Sequence, residues 1–186
     1  PQCGQVALRV LACAVNFADI LLCKGEYQEK PPFPYSPGLE VCGEIIALGD
    51  DDSAFTIGDR VIAFTLLPYG GFAEICLANV EDTFLLPVSI PSEDGAALLV
   101  TYQTGWFGLH HRAHVTSDDT VLIHAGAGGV GSAAIQLAKA SGAFVIATAG
   151  GADKKQLCLD LGAHIAIDYT VQDFVSIVKE ITGGKG

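Results

Sequence analysis

The stretch from Thr120 to Gly150, TVLIHAGAGGVGSAAIQLAKASGAFVIATAG, decides the fold. It reads as an apolar strand over Thr120–His124, a glycine loop, a helix over Gly129–Ser141 and a second strand over Phe144–Thr148. The glycines at 126, 128 and 131 have the Gly-x-Gly-x-x-Gly spacing. Gly126 is expected to permit the tight turn off the strand and Gly128 to let phosphate oxygens approach the backbone. Gly131 is expected to let the helix pack closely on the sheet. The helix N-terminus adds unpaired N–H groups and the positive end of a dipole. Glycines alone can serve a turn, and a methyl-donor-binding fold also sets glycines after its first strand. Here strand, loop, helix and next strand are all in place, so the pyrophosphate of a dinucleotide is the expected ligand.

The end of the second strand bears on which dinucleotide fits. An acidic residue there would grip the adenosine ribose hydroxyls and repel a 2′-phosphate. The chain instead has Thr148-Ala149-Gly150-Gly151, small and uncharged, with Lys154 and Lys155 just beyond. That favours NADP over NAD. Asp153 is the opposing charge, but it lies past the strand end and is expected to cap the following helix.

Downstream the alternation continues with a helix over Lys154–Leu161, a strand over Ile165–Asp168 and a helix over about Val171–Ile181. Strands alternating with helices imply right-handed crossovers and a parallel sheet. Three strands are half of a doubly wound sheet. A fourth would be expected where the chain ends in GGKG, so the sequence reads as a fragment.

Upstream the pattern differs. Pro91 and Ser92 open a helical stretch from Glu93 to about His111. Before it, short apolar runs at Val6–Val15, Val41–Leu48, Arg60–Phe64 and Phe72–Ala78 are broken by Pro, Gly and Asp, which suggests an antiparallel, partly open barrel. A short helix is expected over Asn16–Cys23, with Asn16 as its cap. Gly25–Gly38 is a loop whose four prolines exclude a central strand or helix. Asp50–Asp52 reads as an acidic turn at a solvated loop tip.

Composition supports a globular reading. Half of the 186 residues are hydrophobic and 17% are charged, enough to bury a sizeable core. The net charge of -11 opposes nucleic-acid binding, and Lys154–Lys155 is the one adjacent Lys/Arg pair. No apolar run reaches the length of a membrane span. The chain starts at Pro1, which suggests a trimmed N-terminus, and no leader pattern is seen, so a cytoplasmic location is expected. The six cysteines contain no C-x-x-C pair and read as buried small hydrophobes. His110 and His114, four apart, could share a helical face, but no carboxylate or cysteine completes a metal site, and solvated histidines are expected.

The chain resembles the medium-chain dehydrogenase/reductase superfamily, in its zinc-free, zeta-crystallin-like quinone oxidoreductase branch. The resemblance rests on NFAD (Asn16–Asp19), GEY (Gly25–Tyr27), PYSPGLEVCG (Pro34–Gly43), GDRV (Gly58–Val61), GGFAE (Gly70–Glu74), HAGAGGVG (His124–Gly131) and GAHIAIDY (Gly162–Tyr169). It implies α/β plus β architecture: a GroES-like β-barrel catalytic domain over residues 1–95, then the first half of a Rossmann-type NADP-binding domain over 96–186. By motif, Ala127, Gly128, Gly129 and Val130 would hold the pyrophosphate, and Gly150, Lys154 and Tyr169 would surround the 2′-phosphate. Asn16 would sit beside the nicotinamide in the interdomain cleft and orient it, with Thr104 near the same half of the cofactor. Read from the residues alone, Asn16 is a helix cap and Tyr169 a strand-end aromatic.

The zinc alcohol dehydrogenases resemble this chain but carry a Cys before the first helix and Gly-His-Glu after the proline-rich loop. Here those stretches are Val15-Asn16-Phe17 and Gly38-Leu39-Glu40, and Leu39 cannot ligate a metal. The four-cysteine structural lobe is missing too, and no zinc is expected. Leu21 stands where some quinone reductases place a Tyr, so Tyr27 and Tyr35 would line the cleft instead. The resemblance implies transfer of hydride from NADPH to a quinone or α,β-unsaturated carbonyl, with the full-length protein a homodimer or homotetramer. A thioester enoyl reductase, or a non-enzymatic NADPH-binding crystallin, would carry the same motifs.

Overall fold

The computed structural model describes residues 1–50 and 54–185. The chain forms two compact units, residues 1–100 and 101–186. Asp51 and Asp52 of the expected acidic turn lie outside the described residues.

The first unit is built on β1 (Gln5–Cys13), β2 (Glu40–Leu48), β3 (Arg60–Thr65) and β4 (Ile75–Leu85), with α1 (Phe17–Lys24) between the first two strands. The strands pair antiparallel in the order β1-β2-β3-β4 and close into a barrel, so the expectation of a partly open one is corrected. Closure comes from the length of β4. Its first half pairs with β1, from Gln5↔Asn79 to Arg9↔Ile75, and its second half pairs with β3, from Val61↔Leu85 to Ala63↔Thr83. The predicted strand over Phe72–Ala78 starts too early and misses that second half, because Asn79, Glu81 and Asp82 interrupt the apolar pattern. Closing the barrel leaves no unpaired edge.

Alternate residues of these strands fill the interior. Val6, Leu8, Val41, Ile45, Val61, Ala63, Cys76 and Ala78 make its core. Each fully buried aliphatic side chain there contributes about 1.5–3 kcal/mol. Cys42 and Ile62 point the other way, into a second cluster with Leu86, Ala96 and Leu99. β2 is thus buried on both faces over its first four residues.

The helix expected over Glu93–His111 is three pieces: α2 (Ser92–Ala96), α3 (Leu99–Trp106) and a π-helical turn over Phe107–Arg112. α2 lies tight on the barrel at Gly95, where a Cβ would stand 3.2 Å from Ile62 Cγ2. The widened turn is marked by Ala113 N–H donating to Gly108 O at 3.0 Å.

The second unit carries β5 (Thr120–Ile123), α4 (Gly129–Ala140), β6 (Phe144–Ala149), α5 (Ala152–Asp160), β7 (Ile165–Asp168) and α6 (Phe174–Ile181). The strands form a parallel sheet in the order β5-β6-β7, registered Thr120↔Phe144 and Ile146↔Ile165. β6 is central and buried throughout after Phe144. Val145, Ala147 and Ala149 pack with Ile135 and Ala138 of α4 and Cys158 of α5, while Ile146 packs with Ile167 and Val178 of α6. The continuous apolar run of β6 has this cause: helices cover both of its faces. Among the described residues, no helix is long and apolar enough to cross a membrane.

Three cysteines, Cys42, Cys76 and Cys158, are buried; Cys13 is half-buried, and Cys3 and Cys23 are exposed. Burial pushes the Cys76 thiol up to about 12. It does the same for Cys13, which donates to Glu40 O at 3.2 Å. Exposed Cys3 and Cys23 correct the expectation of six buried thiols.

Candidate functional site

The glycine loop is organised by close packing. Ala125, not Gly126, takes the left-handed backbone at φ 51° that turns the chain off β5. Gly126 N–H donates to Thr148 O at 2.9 Å, and Gly128 N–H donates to Ala125 O at 2.8 Å. Gly126 is glycine because it is packed from below: a Cβ there would stand 2.8 Å from Cys158 Sγ, 3.0 Å from Ile135 Cδ1 and 3.1 Å from Ala147 Cβ. The turn role assigned to Gly126 from the sequence is thereby corrected. A Cβ on Gly131 would fall on the Ala125 carbonyl, so α4 can approach the loop only without one. Gly128 is the N-cap of α4, exposed, with extended backbone at φ −85° and ψ 170°. Gly129 and Val130 follow in the first helical turn, which holds no acidic side chain to compete for an anion.

Ala127, Gly128, Gly150, Lys154 and Tyr169 come together around a cleft of about 180 Å³, joined by Ala125 and Ala149. Gly150 closes the end of β6, and Tyr169 follows β7; a Cβ on Gly150 would stand 2.8 Å from the Tyr169 hydroxyl. Lys154 reaches the cleft from the first turn of α5. Asp153 is not the cap of that helix. Gly151 is, at φ 93°, and Asp153 is the second helical residue.

Asp168 fixes the shape of this end and was not foreseen as a site residue. Its Oδ1 accepts Gly151 N–H at 2.9 Å, Thr170 N–H at 3.0 Å and the Thr170 hydroxyl at 2.6 Å. The Thr170 hydroxyl, then the Gly151 amide, hold its carboxyl below the usual carboxylate range. On the other side, His124 Nδ1 lies 3.0 Å from Thr148 Oγ1 and its ring meets Phe174 edge-on at 5.1 Å.

Thr104 lies on α3 beside a separate cleft of about 430 Å³, with Gln103, Trp106 and Phe107. α3 packs against the start of α4: the methyl of Thr101 stands 3.0 Å from the Cβ position of Gly129.

Asn16 lies in the first unit, half-buried at the N-cap of α1, and its backbone N–H donates to the Asp19 carboxylate at 2.8 Å. Its side-chain Nδ2 donates to Glu40 Oε1 at 2.8 Å. Glu40 is 1% exposed, and its Oε2 accepts Val100 N–H at 2.8 Å, with a further backbone hydrogen bond from Leu99. Burial pushes its carboxyl up, and the three donors oppose that shift. Asp19, equally buried, accepts Gly38 N–H at 2.9 Å. Glu40 enters the sequence reading only as the neighbour of Leu39, in the stretch where the zinc enzymes carry Gly-His-Glu. Leu39 beside it offers no donor, and no group of three or more His, Cys, Asp or Glu among the described residues could hold a metal. His110 and His114 do not share a helical face: His110 is on the π-helical turn, and His114 is beyond it at φ 53°.

Residues 2–90 match the family Alcohol dehydrogenase GroES-like domain, and residues 129–186 match the family Zinc-binding dehydrogenase. The chain is 39% identical to a quinone oxidoreductase of Rattus norvegicus over 186 residues, 100% of this chain and 56% of the rat protein. The chain belongs to the medium-chain dehydrogenase/reductase superfamily. Within that superfamily it matches the crystal structure of Escherichia coli quinone oxidoreductase complexed with NADPH, with TM-score 0.90 and 34% identity over 100% of this chain and 56% of the other. It also matches CurK enoyl reductase, with TM-score 0.89 and 31% identity, covering 57% of that chain. The chain thus spans little more than half the length of these superfamily relatives.

Proposed function

We propose that this chain is the cofactor-binding and N-terminal part of an oxidoreductase that takes NADPH and reduces a quinone or α,β-unsaturated carbonyl without zinc. The reading is carried by one observation: Gly150, Lys154 and Tyr169 close the cleft beyond β6 with no acidic side chain among its lining. A ribose 2′-phosphate fits an uncharged strand end flanked by a lysine better than a bare hydroxyl does. Ala127, Gly128, Gly129 and Val130 would hold the pyrophosphate through the helix N-terminus. Thr104 and Asn16 would meet the nicotinamide half. When bound, the nicotinamide supplies the hydride, and the protein contributes binding and orientation. Quinones and enones accept hydride without a metal acid, which accords with Leu39 where the zinc enzymes carry histidine. The likeness to quinone oxidoreductases supports the acceptor class, and the full-length enzyme is proposed to be a homodimer or homotetramer in the cytoplasm.

The likeness to an enoyl reductase favours a second reading, in which the acceptor is an enoyl thioester. Both are tested by adding NADPH or NADH to the full-length enzyme with a simple quinone, an enone and an enoyl thioester, and following loss of the reduced nicotinamide. Faster turnover with NADPH and quinone supports the first reading. Turnover with thioester alone selects the second, and binding without turnover of any acceptor rejects both in favour of a binding protein.

A further inference from the structure

The buried carboxylate of Glu40 has no place in the reaction outlined above, yet three donors converge on it. It sits at the start of β2 with its two oxygens turned to different elements: Oε1 to the side chain of Asn16 at the head of α1, Oε2 to the Val100 amide in the opening turn of α3, with Leu99 a further backbone donor. Asp19 faces it from α1 as a second buried carboxylate, and the Cys13 thiol of β1 donates to the Glu40 main-chain carbonyl. Taking a carboxylate out of water is costly, and such groups persist where donors satisfy them. Here the donors are fixed in kind. Backbone N–H groups can only donate, and an ionised carboxylate can only accept. The end of the Asn16 amide that meets Glu40 is Nδ2, so its oxygen end faces the Asp19 N–H in the capping box of α1 and keeps a second lone pair that Asn16 can offer elsewhere.

We propose that Glu40 is a positioning residue that fixes which way round the Asn16 amide faces, so that Asn16 offers an acceptor oxygen to the carboxamide N–H of the nicotinamide. The inference rests on the reading of Asn16 as a nicotinamide contact given above. A nicotinamide carboxamide has one donor end and one acceptor end, so an acceptor held in place selects one rotamer of that group. Gln at position 40 would keep the shape but bring an amine to one of the two partners. It would face either Asn16 or the α3 amides with donor against donor, and turning Asn16 around would relieve that clash.

The test uses the full-length enzyme and its E40Q and N16A variants. Side-chain amide signals of Asn16 are recorded by NMR without cofactor, and steady-state rates and binding of adenosine 2′,5′-bisphosphate are measured in parallel. In the wild-type protein the Asn16 Nδ2 protons are expected to be shifted and slowed in exchange relative to solvated asparagines. This requires no variant to fold, and free exchange would overturn the proposal. E40Q is expected to move those signals and to lower kcat/KM for NADPH about tenfold, while the bisphosphate, which reports the adenosine end alone, binds unchanged. E40Q with unaltered Asn16 signals and rates, alongside an impaired N16A, overturns the role of Glu40 alone. Unimpaired N16A turnover instead removes Asn16 from the nicotinamide, and the positioning role falls with it.

Discussion

Lys154 and Tyr169 enter the same cleft from different elements, one from the first turn of α5 and the other from the chain leaving β7. If the lysine meets a 2′-phosphate, replacing it with alanine removes a charge-assisted contact. K154A should weaken NADPH binding by about 1–3 kcal/mol and leave NADH binding nearly unchanged. Parallel titrations of both cofactors check this, and equal losses would remove Lys154 from that contact. Asp168 acts one step behind. D168A takes the acceptor away from Gly151 and Thr170 together, whereas D168N keeps an oxygen for them. NADPH affinity should therefore fall by about an order of magnitude in D168A and be largely retained in D168N. The carboxyl is held below its ordinary range, so the ionised, turn-holding form persists above the unfolded pKa. It is lost as pH falls through the lower native value. The amide signal of Gly151 followed through acid titration should report that loss.

At the level of elements, the glycine loop and α5 are a fitted pair. G126A would push a methyl against Cys158 Sγ, Ile135 and Ala147, and should cost about 1–3 kcal/mol in denaturant unfolding. C158A alone should also destabilise by opening a small void, but combined with G126A it should recover part of the loss, a coupling visible in a double-mutant cycle. The sequence showed the loop, the order of strands and helices and the small residues at 148–151, because period, glycine spacing and missing charge are local signals. It did not show that Ala125 makes the turn while Gly126 makes room. That distinction depends on Cys158, which is remote in sequence. It likewise missed the second half of β4, whose polar residues are tolerated because barrel closure pairs their backbone. Glu40 escaped because its partners, Asn16 and Val100, lie 24 and 60 residues away. Of the candidate cleft, the glycine loop with Gly150, Lys154 and Tyr169 was legible, and the supporting carboxylates were not.

Over the whole molecule, charge and ligand chemistry give a further prediction. Three protein ligands with an open fourth position are what a catalytic zinc requires. Leu39 removes one candidate, and no metal-binding cluster assembles among the described residues. If the proposed quinone reduction holds, prolonged chelation should leave it unchanged in the full-length protein; loss of activity restored by zinc would reverse the zinc-free reading. The two units also keep separate hydrophobic cores, one inside the barrel and one around β6. Ligand binding to the glycine loop adds stability as RT ln(1 + [L]/Kd), about 2.7 kcal/mol at a hundredfold excess over Kd.

The thiol of Cys158 lies directly beneath the glycine loop, fully shielded from solvent, and its proton is held more tightly than that of a free thiol. It is a built-in clock for the motion of that loop. An alkylating reagent can reach the sulfur only when the structure over it opens, so the modification rate of the peptide carrying Cys158, told apart by mass spectrometry from those of buried Cys42 and Cys76, counts openings. The exposed Cys3 and Cys23 react first and mark zero time. A dinucleotide seated on the loop should lengthen the interval between openings, which would make cofactor occupancy readable without turnover or chromophore.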